Sequence, residues 1–267
     1  MPSMKHRFVI VLFVLLLNNQ LFAQSLDPIL SVEPIITDRP DQTESPFLVP
    51  VNYLQVETGV TMEQVNDQER NWLLPTSLIK IGLNDRFEFR LVAERFQTTV
   101  GNQKKAGLLP LTVGFKANLC EEKGIVPQLS FIGHYTTSNW GSDSFHTTYG
   151  APSFRFLMQH TLSSRVSLGY NLGAEWDGES AQPIYLYTLS TGVTITKKLG
   201  MFLELYGFAP DGAKADHRWD GGFTYLINDH TMMDISGGTR ITANAPAYFA
   251  AIGFSKRFNL QSGKNKK

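Results

Sequence analysis

From Asn52 onward the polarity of the chain alternates with a period of two, in one long stretch after another. Over residues 53–62, Leu54, Val56, Thr58, Val60 and Met62 alternate with Gln55, Glu57, Gly59 and Thr61. Over residues 87–94, Phe87, Phe89, Leu91 and Ala93 alternate with Glu88, Arg90, Val92 and Glu94. The same pattern sets Leu109, Leu111, Val113, Phe115, Ala117 and Leu119 against Pro110, Thr112, Gly114, Lys116 and Asn118. It sets Val166, Leu168, Tyr170, Leu172, Ala174 and Trp176 against Ser167, Gly169, Asn171, Gly173 and Glu175. Successive side chains of a strand point to opposite faces, so each stretch has one apolar face and one polar or small one. A soluble secreted β-sandwich would alternate in the same way. Length separates the two: soluble strands usually run about five or six residues, whereas a tilted membrane strand needs about 9–11, and these stretches match the second.

The connections carry a second signal. Short ones fall at residues 84–86, 121–124, 163–165, 197–198 and 228–230. Longer ones fall at residues 65–70, 97–106, 138–148, 177–182, 209–217 and 242–245. Outer-membrane barrels have short periplasmic turns and longer outer loops. Interleaving the two sets predicts an all-β fold, a transmembrane antiparallel up-and-down barrel of about twelve strands with both ends on the periplasmic side. The final stretch places Tyr248, Ala250, Ile252, Phe254 and Phe258 on one face, broken by Lys256, whose long stem can carry its charge to the interface.

The N-terminus fits export. Lys5 and Arg7 precede an apolar run from Phe8 to Leu17, followed by Leu21-Phe22-Ala23, which reads as a signal peptide over residues 1–23. That run is too short to span a bilayer as a helix, and no later run of about 18 apolar residues occurs. No cysteine follows the signal, so no lipid anchor is expected. The expected organisation is a polar N-terminal segment at 24–51, a barrel at 52–258 and a disordered tail at 259–267. Lys plus Arg equals Asp plus Glu at 24 each, which gives no bulk charge for nucleic acid. The single Cys120 forms no internal disulfide, and no metal or cofactor motif is present.

Residues 37–46, TDRPDQTESP, resemble the opening of the outer-membrane family labelled "putative MetA-pathway of phenol degradation". Leu54–Gly59 (LQVETG), Gly82–Leu91 (GLNDRFEFRL), Glu204–Gly207 (ELYG), Trp219–Asn228 (WDGGFTYLIN), Met233–Gly237 and Gly253–Phe258 (GFSKRF) are similar too. The resemblance implies a transporter barrel in the bacterial outer membrane with small hydrophobic or aromatic molecules as cargo. The partners expected for such a barrel are outer-membrane lipid, the barrel-assembly machinery through the C-terminal strand, and the solute. A structural or adhesive barrel is the alternative, but the loops are short and free of repeats.

If the apolar faces meet lipid, the other faces line a lumen. The candidate lumen residues are Lys80, Glu88, Arg90, Lys116, His134, Arg155, Glu204, Arg218, Asp220, Asp234 and Arg240, with Glu57, Glu94 and Glu175 on the same faces. Both signs are present, as in a narrow barrel filled by ion pairs or a polar constriction. Counting from the short turns puts Lys80, Glu88, Lys116, Glu204 and Asp234 at similar depth near the periplasmic mouth. The polar segment, with Asp38, Arg39, Asp41 and Glu44, emerges at that mouth and is a candidate plug or latch. Its Pro40 and Pro46 favour extended or turned backbone. Ser130 and His134 share a strand face and raise a lipid-modifying enzyme, but a lumen-facing histidine is misplaced for lipid and no G-x-S-x-G turn exists. Trp72, Trp140, Trp176, Trp219, Tyr149 and Tyr185 fall toward the long loops, as interface girdle residues do.

Overall fold

The computed structural model describes residues 32–261; the signal peptide expected at 1–23 and all but the start of the expected C-terminal tail lie outside them. The strands in chain order are β1 (Tyr53–Asn66), β2 (Glu69–Asn84), β3 (Phe87–Val100), β4 (Gln103–Leu108), β5 (Thr112–Cys120), β6 (Gln128–Thr136), β7 (Ala151–Thr161), β8 (Val166–Glu175), β9 (Ile184–Thr194), β10 (Leu199–Pro210), β11 (Asp216–Asn228), β12 (Thr231–Arg240) and β13 (Tyr248–Asn259). Each pairs antiparallel with its neighbours. β13 closes the sheet on β1, with Tyr53 opposite Asn259 and Gln64 opposite Tyr248. β4 and β5 follow one another along β3, which makes them two halves of one stave and the whole a closed twelve-stave barrel.

The burial pattern is inverted relative to a soluble protein. The largest fully buried side chains include Arg90, Lys80, Lys116, Glu57, Glu88 and Glu204, while Leu172, Leu203, Ile235 and Ile252 are more than half exposed. A soluble sandwich would bury the second set and expose the first. With lipid outside, the apolar residues form the belt and the charged ones fill the interior. Phe115, Phe131, Phe154 and Phe156 run as an aromatic cluster over adjacent strands of the outer face, the Phe131 and Phe156 rings meeting edge-on at 5.3 Å. Trp140, Tyr149, Tyr185 and Trp219 are exposed on the long-loop half.

Three expectations about connections need correction. The segments at 65–70 and 97–106 are not longer loops: β1 and β2 run to Asn66 and from Glu69, β3 and β4 to Val100 and from Gln103, so each join is a two-residue turn. Residues 66–68 and 100–106 are exposed, and exposed strand ends look like loops in sequence. The segment at 121–124 extends from the end of β5 to Gln128, longer than expected. The stave expected to run through residues 109–119 begins only at Thr112. Leu109 and Leu111 instead donate their N–H groups to Glu94 O and Trp140 O. Pro110, which has no N–H to give, occupies the break.

β2 carries the other irregularity. Its registers with β1 and β3 both slip near Leu74-Pro75, so that Thr61 faces Leu73 and Phe96 faces Leu73, while Thr76 faces Gly59 and Glu94. A bulge of this kind inverts the side-chain alternation beyond it. Asn71 and Leu73 therefore share the inner face with Thr76 and Lys80.

Candidate functional site

A proline-containing segment without its own ladder must find partners for every buried N–H and C=O. Residues 33–51, the leader, find them in the barrel wall. The chain enters at the short-turn mouth, where Ile35 N–H bonds Asp229 O at 2.9 Å. It rises into the lumen, turns back, and returns to the same mouth, where Val51 bridges to Gly82. Asn52, at φ 66, turns it into β1; asparagine tolerates this left-handed conformation better than most residues.

Wall acceptors take the leader's N–H groups. Glu57 receives those of Asp38 (3.0 Å) and Arg39 (3.1 Å). Glu204 receives Gln42 (2.8 Å) and Thr43 (2.7 Å), Asn171 receives Glu44 (2.8 Å), and Glu88 receives Val49 (2.7 Å). Wall donors serve the carbonyls: Gln55 to Ile36 O, Arg155 to Gln42 O, Asn171 to Glu44 O, Lys116 to Ser45 O and Ser130 to Pro46 O. Arg257 reaches Glu33 O at 2.6 Å.

Asp38 is the hub of the charges. Its Oδ2 accepts from Lys80 Nζ and Arg90 Nη1, each at 2.8 Å, and its Oδ1 accepts from Lys116 Nζ at 2.9 Å. Burial opposes its charge, yet Lys116, Lys80 and Arg90 hold the carboxyl well below its ordinary range. Arg90 spends its planar fork on four partners, adding Glu88 at 3.0 Å, Glu44 at 2.7 Å and His134 Nε2 at 3.1 Å. Lys80 also pairs with Glu57. Arg39 bonds Asp234 through Nη2 (3.1 Å) and Nε (3.4 Å). It lies over Gly59 and Gly253, which face each other across β1 and β13; a Cβ on either would strike its guanidinium.

A second cluster has a different balance. Asp41 accepts from Ser190 Oγ at 3.1 Å and lies near Glu204, which stands opposite Asp220 in the β10–β11 register. Asp220 is buried, and neither of its oxygens has a hydrogen-bond partner among the described residues. Burial, and then the charge of Glu204, push the Asp41 carboxyl well above its ordinary range. No group of three or more His, Cys, Asp or Glu among the described residues stands as a metal site.

The structure thus gathers Lys80, Glu88, Arg90, Lys116, His134, Glu204 and Asp234 around the leader. Arg155 touches it only through Gln42 O and otherwise faces Glu175 at 3.6 Å. Arg218 lies elsewhere, against Asp216 and Glu63 and over the rings of Tyr206 and Phe208. Arg240 is exposed at the end of β12, apart from both clusters. Ser130 and His134 do not meet as a pair, since each is engaged with another partner. Charge-based reasoning passed over Asn171, Gln55 and the Gly59–Gly253 seat because they are uncharged. Arg257 was legible, because it shares strand parity with Gly253 and Ser255.

Cavities remain on both sides of the leader. One of about 280 Å³ lies beyond its turn, lined by residues 39–42 and by Leu73, Phe96, Tyr206 and Phe249. Two others, about 450 Å³ and 380 Å³, flank it at the short-turn mouth.

A family model described as "Putative MetA-pathway of phenol degradation" matches residues 37–258. Among solved structures, an outer membrane channel from Pseudomonas putida F1 is similar at 12% identity and a TM-score of 0.61, over 82% of this chain and 99% of that one. The KdgM porin is similar at 12% identity and a TM-score of 0.51, over 76% of this chain and 99% of its own. No curated protein matches the chain. The fold is that of bacterial outer-membrane barrels, and its apolar belt places it in that membrane.

Proposed function

The chain belongs to the family described as "Putative MetA-pathway of phenol degradation", and we propose that this member is an outer-membrane channel for small hydrophobic or aromatic molecules whose leader acts as a plug. One observation carries the reading. The leader occupies the lumen at the depth of Lys80, Lys116, Glu204 and Asp234 and leaves cavities of a few hundred Å³ above and below it. Such an axis supports passage of single small molecules with leader movement rather than bulk flow through an open pore. In this reading the outer face contacts lipid, and β13, with Phe258 next to its last residue, engages the assembly machinery.

Deleting residues 37–46 tests the plug. Single-channel conductance in planar bilayers should rise well above that of the parent, while heat-modifiable gel migration shows that the barrel still folds. Unchanged conductance in a folded deletion would refute the plug.

A further inference from the structure

The leader's path closes on itself inside the lumen. Asp38 Oδ1 accepts the Ser45 N–H at 3.1 Å, and Lys116 Nζ donates both to that oxygen (2.9 Å) and to Ser45 O (2.7 Å). Residues 39–44 therefore form a loop whose two ends are tied to each other and to β5. Lys80 and Arg90 tie the same base to β2 and β3 through Asp38. Beyond the base the loop leans on other strands. Gln42 O takes Arg155, Asp41 takes Ser190, Thr43 Oγ1 meets Thr188 Oγ1 at 2.6 Å, and Glu204 accepts the N–H groups of Gln42 and Thr43. Its ion pair on that side is Arg39 with Asp234.

This loop is also the partition between two cavities. The one of about 450 Å³ at the mouth and the one of about 280 Å³ beyond the turn have Arg39, Pro40 and Asp41 as their shared lining. Strand β10 runs past both: Phe202 lines the first, Tyr206 the second, and Glu204, the inward position between them, lies under the loop. Successive inward positions of a strand are about 6.6 Å apart, so the two rings flank a short step. The other mouth cavity, about 380 Å³, shares no lining residue with the one beyond the turn. Between those two stand Glu57, Lys80, Glu88 and Arg90, paired with one another and with Asp38.

Resting on the channel reading above, we infer that residues 39–43 are a flap hinged at the tied base, and that a solute passes it along the inner face of β10 while the rest of the leader stays in place. Swinging the flap gives up hydrogen bonds that entering water can replace and one ion pair. Expelling the whole leader would instead take from Asp38 three buried cations at once, the costlier break.

The test locks the leader at two points in the full-length protein, with Cys120→Ser throughout so that only introduced thiols react. Thr43→Cys with Thr188→Cys fixes the flap by a disulfide where the two hydroxyls now touch. Thr37→Cys with Met232→Cys, at the 3.5 Å contact below the base, fixes the entering arm when bridged by a short, reducible bis-methanethiosulfonate. Both locks are made in the parent and in Arg39→Ala, whose lost ion pair should raise the open fraction. Single-channel openings in planar bilayers should vanish in the flap-locked protein and return on reduction, while the arm-locked protein should open as it does when reduced. Closure by the arm lock as well would mean that the leader leaves as a whole. Openings that survive the flap lock would place the route elsewhere, and an Arg39→Ala protein no more open than the parent would show that the pair holds no flap; each result overturns the inference. The deletion of residues 37–46 separates the two readings. A folded deletion that conducts while both locks leave conductance unchanged defeats the flap alone, and one that conducts no better than the parent defeats the plug and the flap with it.

Discussion

The leader is held at two places that obey opposite electrostatic rules. Around Asp38, four carboxylates (Asp38, Glu44, Glu57 and Glu88) meet three cations (Lys80, Arg90 and Lys116), and each cation touches at least one carboxylate at hydrogen-bond distance. Around Thr43, three carboxylates (Asp41, Glu204 and Asp220) come together with hydroxyls and backbone N–H groups but no cation paired to them among the described residues. The first place binds by ion pairing, which is strong only when complete. The second binds by hydrogen bonds to acids that crowd one another, and burial with the charge of Glu204 raises the Asp41 carboxyl above its ordinary range. A single short segment is therefore locked at one point and held conditionally at another only a few residues along.

The largest effect should come from breaking the first place. Asp38→Asn leaves Lys80, Arg90 and Lys116 short of a buried counter-charge, and removing one partner of such a network costs about 3–5 kcal/mol. The leader should then become cleavable by protease in a barrel that still migrates as folded; a leader as protected as the parent's would remove the distinction between the two places. Next comes Gly59→Ala, whose methyl would occupy the position of the Arg39 guanidinium. Overpacking of this kind costs about 1–3 kcal/mol, and Arg39→Ala combined with it should relieve most of that loss in urea unfolding.

Asp220→Asn tests the second place, and its sign differs. Removing one charge from a crowded acid cluster should leave the unfolding midpoint unchanged or raise it, within about 1 kcal/mol; a loss as large as that of Asp38→Asn would show the two places to be alike. The pH dependence separates them as well. Asp38, with a folded pKa depressed below 3.8, contributes stability that is present above that value and is lost as pH falls through its folded pKa. Asp41, with a folded pKa raised above 3.8, contributes stability that is full below that value and is lost as pH rises through its folded pKa. Amide exchange measured against pH should accordingly show protection at Gln42 and Thr43 declining on the way up while that at Asp38 and Arg39 holds. Parallel profiles would contradict the contrast. The smallest effect belongs to Arg240→Ala, outside both places, which should change stability by no more than about 0.5 kcal/mol.

Strand parity is a local property, and so the sequence by itself determined the barrel class and the wall face of most side chains. Each of Lys80, Glu88, Lys116, Glu204 and Asp234 sits on the polar phase of a period-two run, and a strand has only two faces to offer. Local patterns hold no record of what breaks the phase or of which distant residues meet. Only the tertiary structure decided that β2 slips near Leu74-Pro75 and turns Asn71 and Leu73 inward, because that slip is defined against β1 and β3. It decided that β4 and β5 make one interrupted stave, since both must be seen lying along β3. It left Arg240 outside the leader's seat although its parity matches Asp234, because depth along the stave, as well as face, sets what a side chain can reach. It also decided that Asp38, rather than Asp41, receives Lys80, Arg90 and Lys116. Two aspartates three residues apart look alike in sequence; which one meets the cations depends on where the leader's path brings each beside β2, β3 and β5.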